Sequence, residues 1–415
     1  MAVNNIPVIN RIVMLTLLGY PILLLTVPGG MNGSQFLLVI ISLFFLFRRT
    51  KLLTTRLWDS YSISFALAMV SPMLAVFLSE AYHGAFSAPP FDGPSRFFLA
   101  IPVFLALRRM DIRTITIFQY GLPLGALSAL FAAMIAWPNW EANNLYFVNS
   151  IHFGDLALML GFLSLFSINW ERPDPIPVFI FKIFSFLVAV YISVQSDARG
   201  GWVAFPILFF IWWMSQNTKN SWPKRIGAIS FILLIALVGY ELIGIIQHRM
   251  DLIYKDLADF QQGNKDTSIG IRFQLWHAAC YLFAEHPVFG VGPNGFAQMM
   301  TPLSNSGMLT PTAASYGRGE VHNEILAKAS QLGIFGLISI LSVYAIPLII
   351  FIRATRSSIS QERSAAFMGI CLVTGFFIFG LTVEIFNLKM TVAFYSLTVA
   401  VLLAAATHKP SARVQ

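Results

Sequence analysis

Charge is what these 415 residues have least of: Asp, Glu, Lys and Arg make up 11%, while 57% of the chain is hydrophobic and 38 residues are Phe. A soluble domain averages about 25% charged residues, so this composition excludes a soluble globular enzyme and points to a polytopic membrane protein. Cysteine is nearly absent too. Only Cys280 and Cys371 occur, and Cys371 lies within an apolar run, so no structural disulfide is expected and a cysteine metal site is excluded. There is no His-Glu-x-x-His, no Asp-x-Asp, and no cluster of three carboxylates visible on the non-cytoplasmic side, so no divalent metal is implied. No Walker loop occurs, so neither ATP nor any other cofactor is expected. The formal Gly-x-Gly-x-x-Gly at 290–295 follows a helical pattern rather than a strand and contains Pro293, which makes it a turn. The net charge of +8 is no sign of a nucleic-acid partner, because the basic residues sit beside apolar spans.

What the chain does have is apolar runs of about 20 residues, the length that crosses a bilayer. Twelve are expected, near 8–27, 33–48, 61–80, 94–109, 114–137, 151–169, 177–195, 200–215, 226–246, 324–352, 365–383 and 389–407. Basic residues follow the even-numbered spans: Arg48, Arg49, Lys51 and Arg56, then Arg108, Arg109 and Arg113, then Lys219, Lys224 and Arg225, then Arg353, Arg356 and Arg363. By the positive-inside rule both termini are expected in the cytoplasm. The first run, preceded by Arg11, ends in Thr-Val-Pro-Gly-Gly without a small-x-small cleavage site, which reads as a retained helix rather than a signal peptide. The expected divisions are 1–246 (nine spans), 247–321 (a helical loop on the non-cytoplasmic side), 322–407 (three spans) and 408–415 (a cytoplasmic tail).

Within 247–321, Ile246, Met250, Ile253, Leu257 and Phe260 are spaced as on one face of a helix, and Ile271, Leu275, Ala278 and Leu282 repeat the pattern after a polar break at 261–267. A helical pair over the membrane surface is expected. Residues 301–319, rich in Ser, Thr, Pro and Gly, read as a mobile loop leading to His322.

Cations on the basic-poor side need a reason. His322, at the mouth of the tenth span, has a side chain that serves as a general base near neutral pH; the bland alternative is an interfacial histidine that bonds its loop. Asn323 is placed to cap the helix, and Glu324 suits its positive end. Ala329, Gly333 and Gly336 share a stripe on which another helix is expected to approach closely. Arg199 lies in Ser-Asp-Ala-Arg-Gly-Gly-Trp between two spans; a boundary charge suggests function, and snorkelling or pairing with Asp197 is the alternative. Arg272 alone would be a solvated helix charge. Arg96 pairs equally well with Asp92 or with a phosphate. Arg318 is a weaker candidate that pairs with Glu320, and Lys389 is placed to mark the far wall of the same cavity. His83, His152 and His277 read as interfacial or loop residues.

Three motifs together resemble the O-antigen ligase (WaaL) family, within the wider O-antigen ligase and polymerase superfamily. They are Ser-Asp-Ala-Arg-Gly-Gly-Trp at 196–202, Ile-Arg-Phe-Gln-Leu-Trp with Pro287 and the glycine turn at 271–295, and His-Asn, nine residues, Gly, two residues, Gly at 322–336. The first half of the chain matches mainly in its spans. The resemblance implies an all-α, GT-C-like membrane glycosyltransferase with a periplasmic active site in the bacterial inner membrane. It would move polysaccharide from undecaprenyl pyrophosphate to lipid A–core oligosaccharide in lipopolysaccharide biosynthesis, without a metal and with inversion. His322 would be the base and Arg199 and Arg272 the pyrophosphate ligands, with Arg96 and Arg318 as further candidates and Asn323, Asp197 and Lys389 in support. An O-antigen polymerase or a protein O-oligosaccharyltransferase would share the donor. A transporter of an anionic lipid is the alternative from another class; it is disfavoured because no internal repeat is visible.

Overall fold

The computed structural model describes residues 6–49, 57–136, 147–196, 199–216, 251, 254–256 and 258–408. The expected ninth span at 226–246, Asp197 and most of the first amphipathic helix lie outside the described residues. Within them the protein is all helical, with no strand. Among the described residues nine helices precede the long insertion: α1 Ile6–Leu24, α2 Gly30–Arg49, α3 Ser60–His83, α4 Pro89–Leu107, α5 Ile112–Thr116, α6 Phe118–Ala136, α7 Ser150–Phe166, α8 Ile176–Gln195 and α9 Arg199–Ser215. The insertion supplies α10 Ser268–Glu285, α11 Gly295–Asn305 and α12 Pro311–Gly317, and the chain closes with α13 Glu324–Ala354, α14 Ser360–Gly380 and α15 Lys389–Ala406. Among the described residues, 7 helices are long and apolar enough to cross a membrane, and three shorter apolar helices accompany them. Each expected span that falls on described residues coincides with a helix, and the chain is an all-α polytopic membrane protein.

The bundle closes around its last helix. Every residue of α15 from Met390 to Ala406 is buried, and it packs against α2, α4, α13 and α14. Lipid gives no hydrophobic drive for helices to associate, so close packing and internal hydrogen bonds must hold them. Tyr395 donates to the Val343 carbonyl of α13 at 2.9 Å. At the far end Arg108 donates through Nε to the Thr407 carbonyl at 2.7 Å and pairs with Asp59 at 2.8 Å, a cation at a helix C-terminus where the dipole favours it.

Above the opposite end sits a small separate core of Ile271, Leu275, Ala278, Leu282, Phe296, Met300, Leu303, Leu309 and Ala313. All four apolar positions expected on the second surface helix are therefore inward-facing on α10. Burying Leu275 and Leu282 stabilises this cap by about 1.5–3 kcal/mol each. The expected mobile loop at 301–319 is instead helix: α11 runs to Asn305, and α12 starts on a Thr310 cap whose Oγ1 accepts from the Ala313 N–H at 3.1 Å, with Pro311 at its first position. The Ser/Thr/Pro composition reflected capping rather than disorder.

Within the stripe of small residues on α13, Gly333 has a local cause of its own. Gly333 has φ 64° and ψ −150°, a break inside α13, and a Cβ there would lie 2.3 Å from the Val288 carbonyl oxygen. The glycine turn of 287–292 is zipped onto this break, with Ile334 N–H donating to Pro287 O at 2.8 Å, Val291 N–H to Ser330 O at 3.0 Å and Gly292 N–H to Gln331 O at 2.9 Å. Only glycine adopts that backbone conformation without strain, which costs other residues about 1–3 kcal/mol. Gly333→Ala is therefore expected to lower the melting temperature of the purified protein by several degrees in a detergent thermal-shift assay. Gly33→Ala, where a Cβ meets nothing within 4 Å, is expected to melt with the wild type.

Candidate functional site

The turn Glu320-Val321-His322-Asn323 enters α13, and its backbone is specified tightly. Asn323 caps the helix, Oδ1 accepting from the Ile325 and Leu326 N–H groups at 3.0 Å each. His322 has φ 59°, the left-handed region, and its carbonyl accepts from Trp276 Nε1 of α10 at 3.3 Å. The ring is thereby aimed by the backbone on both sides. Its Nδ1 lies 2.8 Å from Glu320 Oε1, and the two side chains are 17% and 21% exposed, enough to be reached by a substrate.

A carboxylate, Glu320, faces the His322 ring, and two more lie nearby. The sequence displays no cluster of three on this side, but the fold builds one: Glu320, Glu324 and Glu384 converge where α13 begins and the 381–388 turn passes. Each is engaged. Glu384 accepts from the Val321 N–H and gives its own N–H to Glu320 Oε2 at 3.3 Å. Glu324 accepts from the Phe386 N–H at 2.8 Å and has Lys328 Nζ 3.2 Å from its other oxygen. Burial alone would raise the Glu320 carboxyl; the His322 ring, the Glu384 N–H and the His152 ring outweigh it and hold the group below the ordinary carboxylate range. Burial pushes Glu384 from the usual 4.5 up to about 7, against the pull of Lys328 and the Val321 N–H and with the push of Glu324 and Glu320.

The other expected residues are distributed around this centre. α9 starts at Arg199; its side chain lies outside the described residues, as does Asp197. Arg272 is on α10, one turn before Trp276 and so on the same face, and Nη1 donates to Ser268 Oγ at 3.3 Å. Arg96 is not brought to His322. It pairs with Asp92 at 2.8 Å, donates to Asn32 Oδ1 at 3.3 Å and lies over the Phe36 ring. Arg318 is exposed and donates to Thr301 Oγ1 at 3.0 Å rather than pairing with Glu320. Lys389 pairs with Asp92 and lines a cavity of about 250 Å³ with Lys328, Asn294, Gln331 and Asn387, a lining that does not include His322.

His152, expected at an interface or in a loop, is buried in the first turn of α7. Its Nδ1 lies 2.8 Å from Asn149 Oδ1, and its Nε2 approaches the Glu384 carbonyl at 3.5 Å. Spacing alone could not pair positions 152 and 384. Lys328 and Glu324 stand four residues apart on α13, a helical pairing that was legible.

The fold and this turn define a class: a multi-pass, all-α membrane protein with one histidine presented on a carboxylate-lined turn at a helix mouth. Residues 183–341, which include the turn, match the family model Wzy_C, described as O-antigen ligase. The chain is similar to an uncharacterised protein of Haemophilus influenzae, 25% identical over 358 residues that span 84% of this chain and 86% of that one. It is also similar to an O-antigen ligase of Escherichia coli K12, 24% identical over 215 residues, 48% of this chain and half of that protein's length. The resemblance carried by the motifs is thus the one the family model reports, and the comparisons support a ligase- or polymerase-type role in O-antigen processing.

The Glu384 value sets a stability dependence. Its folded value lies above its unfolded one, so the stability it contributes is present in full below about 4.5 and is lost as pH rises through about 7. Glu320 has the opposite sign, its contribution being lost as pH falls through its depressed value. Between pH 5 and 8 the melting temperature is expected to fall, and Glu384→Gln, which still accepts from Val321, is expected to flatten the fall in a pH series of thermal melts.

Proposed function

We propose that this protein is a membrane-embedded, GT-C-like glycosyltransferase that ligates O-antigen polysaccharide from undecaprenyl pyrophosphate onto the lipid A–core oligosaccharide. The observation that carries the reading is His322, fixed at the mouth of α13 inside the family-matched segment, with a carboxylate 2.8 Å from Nδ1. The distribution of Lys and Arg supports a bacterial inner-membrane placement with both termini cytoplasmic and this turn on the periplasmic side.

In this reading Glu320 holds the Nδ1 side of the ring, leaving Nε2 to take the proton from the acceptor hydroxyl. That oxygen attacks the anomeric carbon as the bond to the pyrophosphate breaks, which inverts the configuration. Pyrophosphate is a good leaving group and needs no strong acid. Arg199 and Arg272 stabilise the charge growing on it, guanidinium forks suiting phosphate oxygens. Metal independence fits the three carboxylates being committed to N–H groups, His322 and Lys328. Arg96, Arg318 and Lys389, engaged with Asp92 and Thr301, are given no step.

Purified protein reconstituted with the lipid-linked glycan and lipid A–core, in EDTA and without ATP, is expected to yield glycan-bearing lipid A–core. His322→Ala is expected to lose about 10²–10⁴ in rate with its melting temperature kept. Glu320→Gln should lose less, and Arg272→Lys should not recover what Arg272→Ala loses, because an ammonium cannot hold two phosphate oxygens in a fork. A His322→Ala variant near full activity would sink the reading, and growth of longer lipid-linked chains would make the protein a polymerase.

A further inference from the structure

Asp155 lies in the second turn of an apolar helix, α7, fully buried, and no step above uses it. An acid inside a membrane span is expensive and is kept where it has a task. Neither of its carboxyl oxygens completes a hydrogen bond of ordinary geometry among the described residues, and the same holds for the Ser193 hydroxyl of α8. Both face one place, the first turn of α9. A Cβ on Gly201 would lie 2.7 Å from Ser193 Oγ and 3.3 Å from Asp155 Oδ1; one on Gly200 would lie 2.6 Å from Thr382 Oγ1 and 3.6 Å from Asp155 Oδ2. The Gly201 N–H is near enough to be felt by the carboxyl.

The first four N–H groups of a helix have no partner within it, and where water is scarce each must find one elsewhere. Two successive glycines let α7, α8 and the 381–388 turn close on this turn, so that Ser193, Thr382 and Asp155 oxygens meet it together with the Leu158 Cδ2 methyl. A carboxyl group at a helix N-terminus is also favoured by the dipole.

We propose that Asp155 is the positioning residue of the Arg-Gly-Gly turn: its carboxyl group accepts from the first-turn N–H groups of α9 and so fixes the point from which Arg199 projects. The assignment rests on the reading in which Arg199 holds the donor pyrophosphate. Asp155 acts from another helix, so the turn keeps its place against α7. Ser193 flanks the same N–H groups, and His152, one turn earlier on α7, touches the Glu384 backbone of the His322 site. One helix thereby registers the arginine turn and the histidine turn against each other.

The test uses full-length protein in detergent, as wild type, Asp155→Ala and Asp155→Asn, each also with Arg199→Ala. Hydrogen–deuterium exchange is followed on the peptide containing Gly200–Trp202, and donor KM and kcat in the ligation assay. Asp155→Ala is expected to exchange that peptide at least tenfold faster. It should also raise donor KM about tenfold, equivalent to roughly 1.4 kcal/mol, within what loss of a helix cap costs, with kcat little changed. Asp155→Asn, still an acceptor, should restore most of both. In the Arg199→Ala background Asp155→Ala should change KM no further. If Asp155→Ala does not fold, Asp155→Ser, too short to reach the turn, takes its place. Unchanged exchange, a wild-type KM, or an equal loss with and without Arg199 overturns the proposal. A wild type that makes no product overturns the ligase reading instead, while the exchange data still decide whether Asp155 holds the turn.

Discussion

The turn into α13 depends on one requirement, that backbone N–H groups at the end of a helix be satisfied where little water reaches them. Asn323 takes two of them, and Glu384 and Glu324 reach across to take those of Val321 and Phe386. Polar groups left unpaired in such surroundings cost far more than they would at a wet surface. Three carboxylates are thus drawn to one place for structural reasons. The consequence is chemical: one of them, Glu320, ends beside the imidazole of His322.

The same requirement explains how the insertion between α9 and α13 is attached. Its own core is small, and what docks it is the glycine turn hydrogen-bonded onto the break in α13 at Gly333. Trp276 adds the bond to the His322 carbonyl. The cap over the bundle and the backbone of His322 are therefore one mechanical unit. Arg272, one turn from Trp276, moves with it. His322 and Arg272 are thus positioned by a single piece of packing, which in the proposed reading would hold base and phosphate ligand in near-attack geometry.

Much of this was legible in the residues. Apolar length located a helix at every expected span that falls on described residues, and the period of Ile271, Leu275, Ala278 and Leu282 named the inward face of α10. Asn323 was readable as a cap because a side-chain oxygen at that position has few other uses. The failures have equally local causes. Residues 301–319 looked like a loop because Ser, Thr and Pro serve helix starts as well as coils. Gly333 was read only as room for a neighbouring helix, although its positive φ demands glycine just as strictly. Asp155 was an available signal, an acid in an apolar run, that pattern reading passed over.

By itself the sequence determined the class of protein, the places of its spans, and the three motifs in which the histidine and the two arginines sit. Those follow from composition and short-range periodicity, which act within a helix. Tertiary structure alone decided that Glu320, Glu324, Glu384 and His152 share one neighbourhood, that Arg96 and Lys389 converge on Asp92, and that Asp155 faces a turn more than forty positions away. These contacts join residues distant in the chain, and nothing in spacing encodes them. They arise because helices packed in lipid must bring their remaining polar atoms to one another.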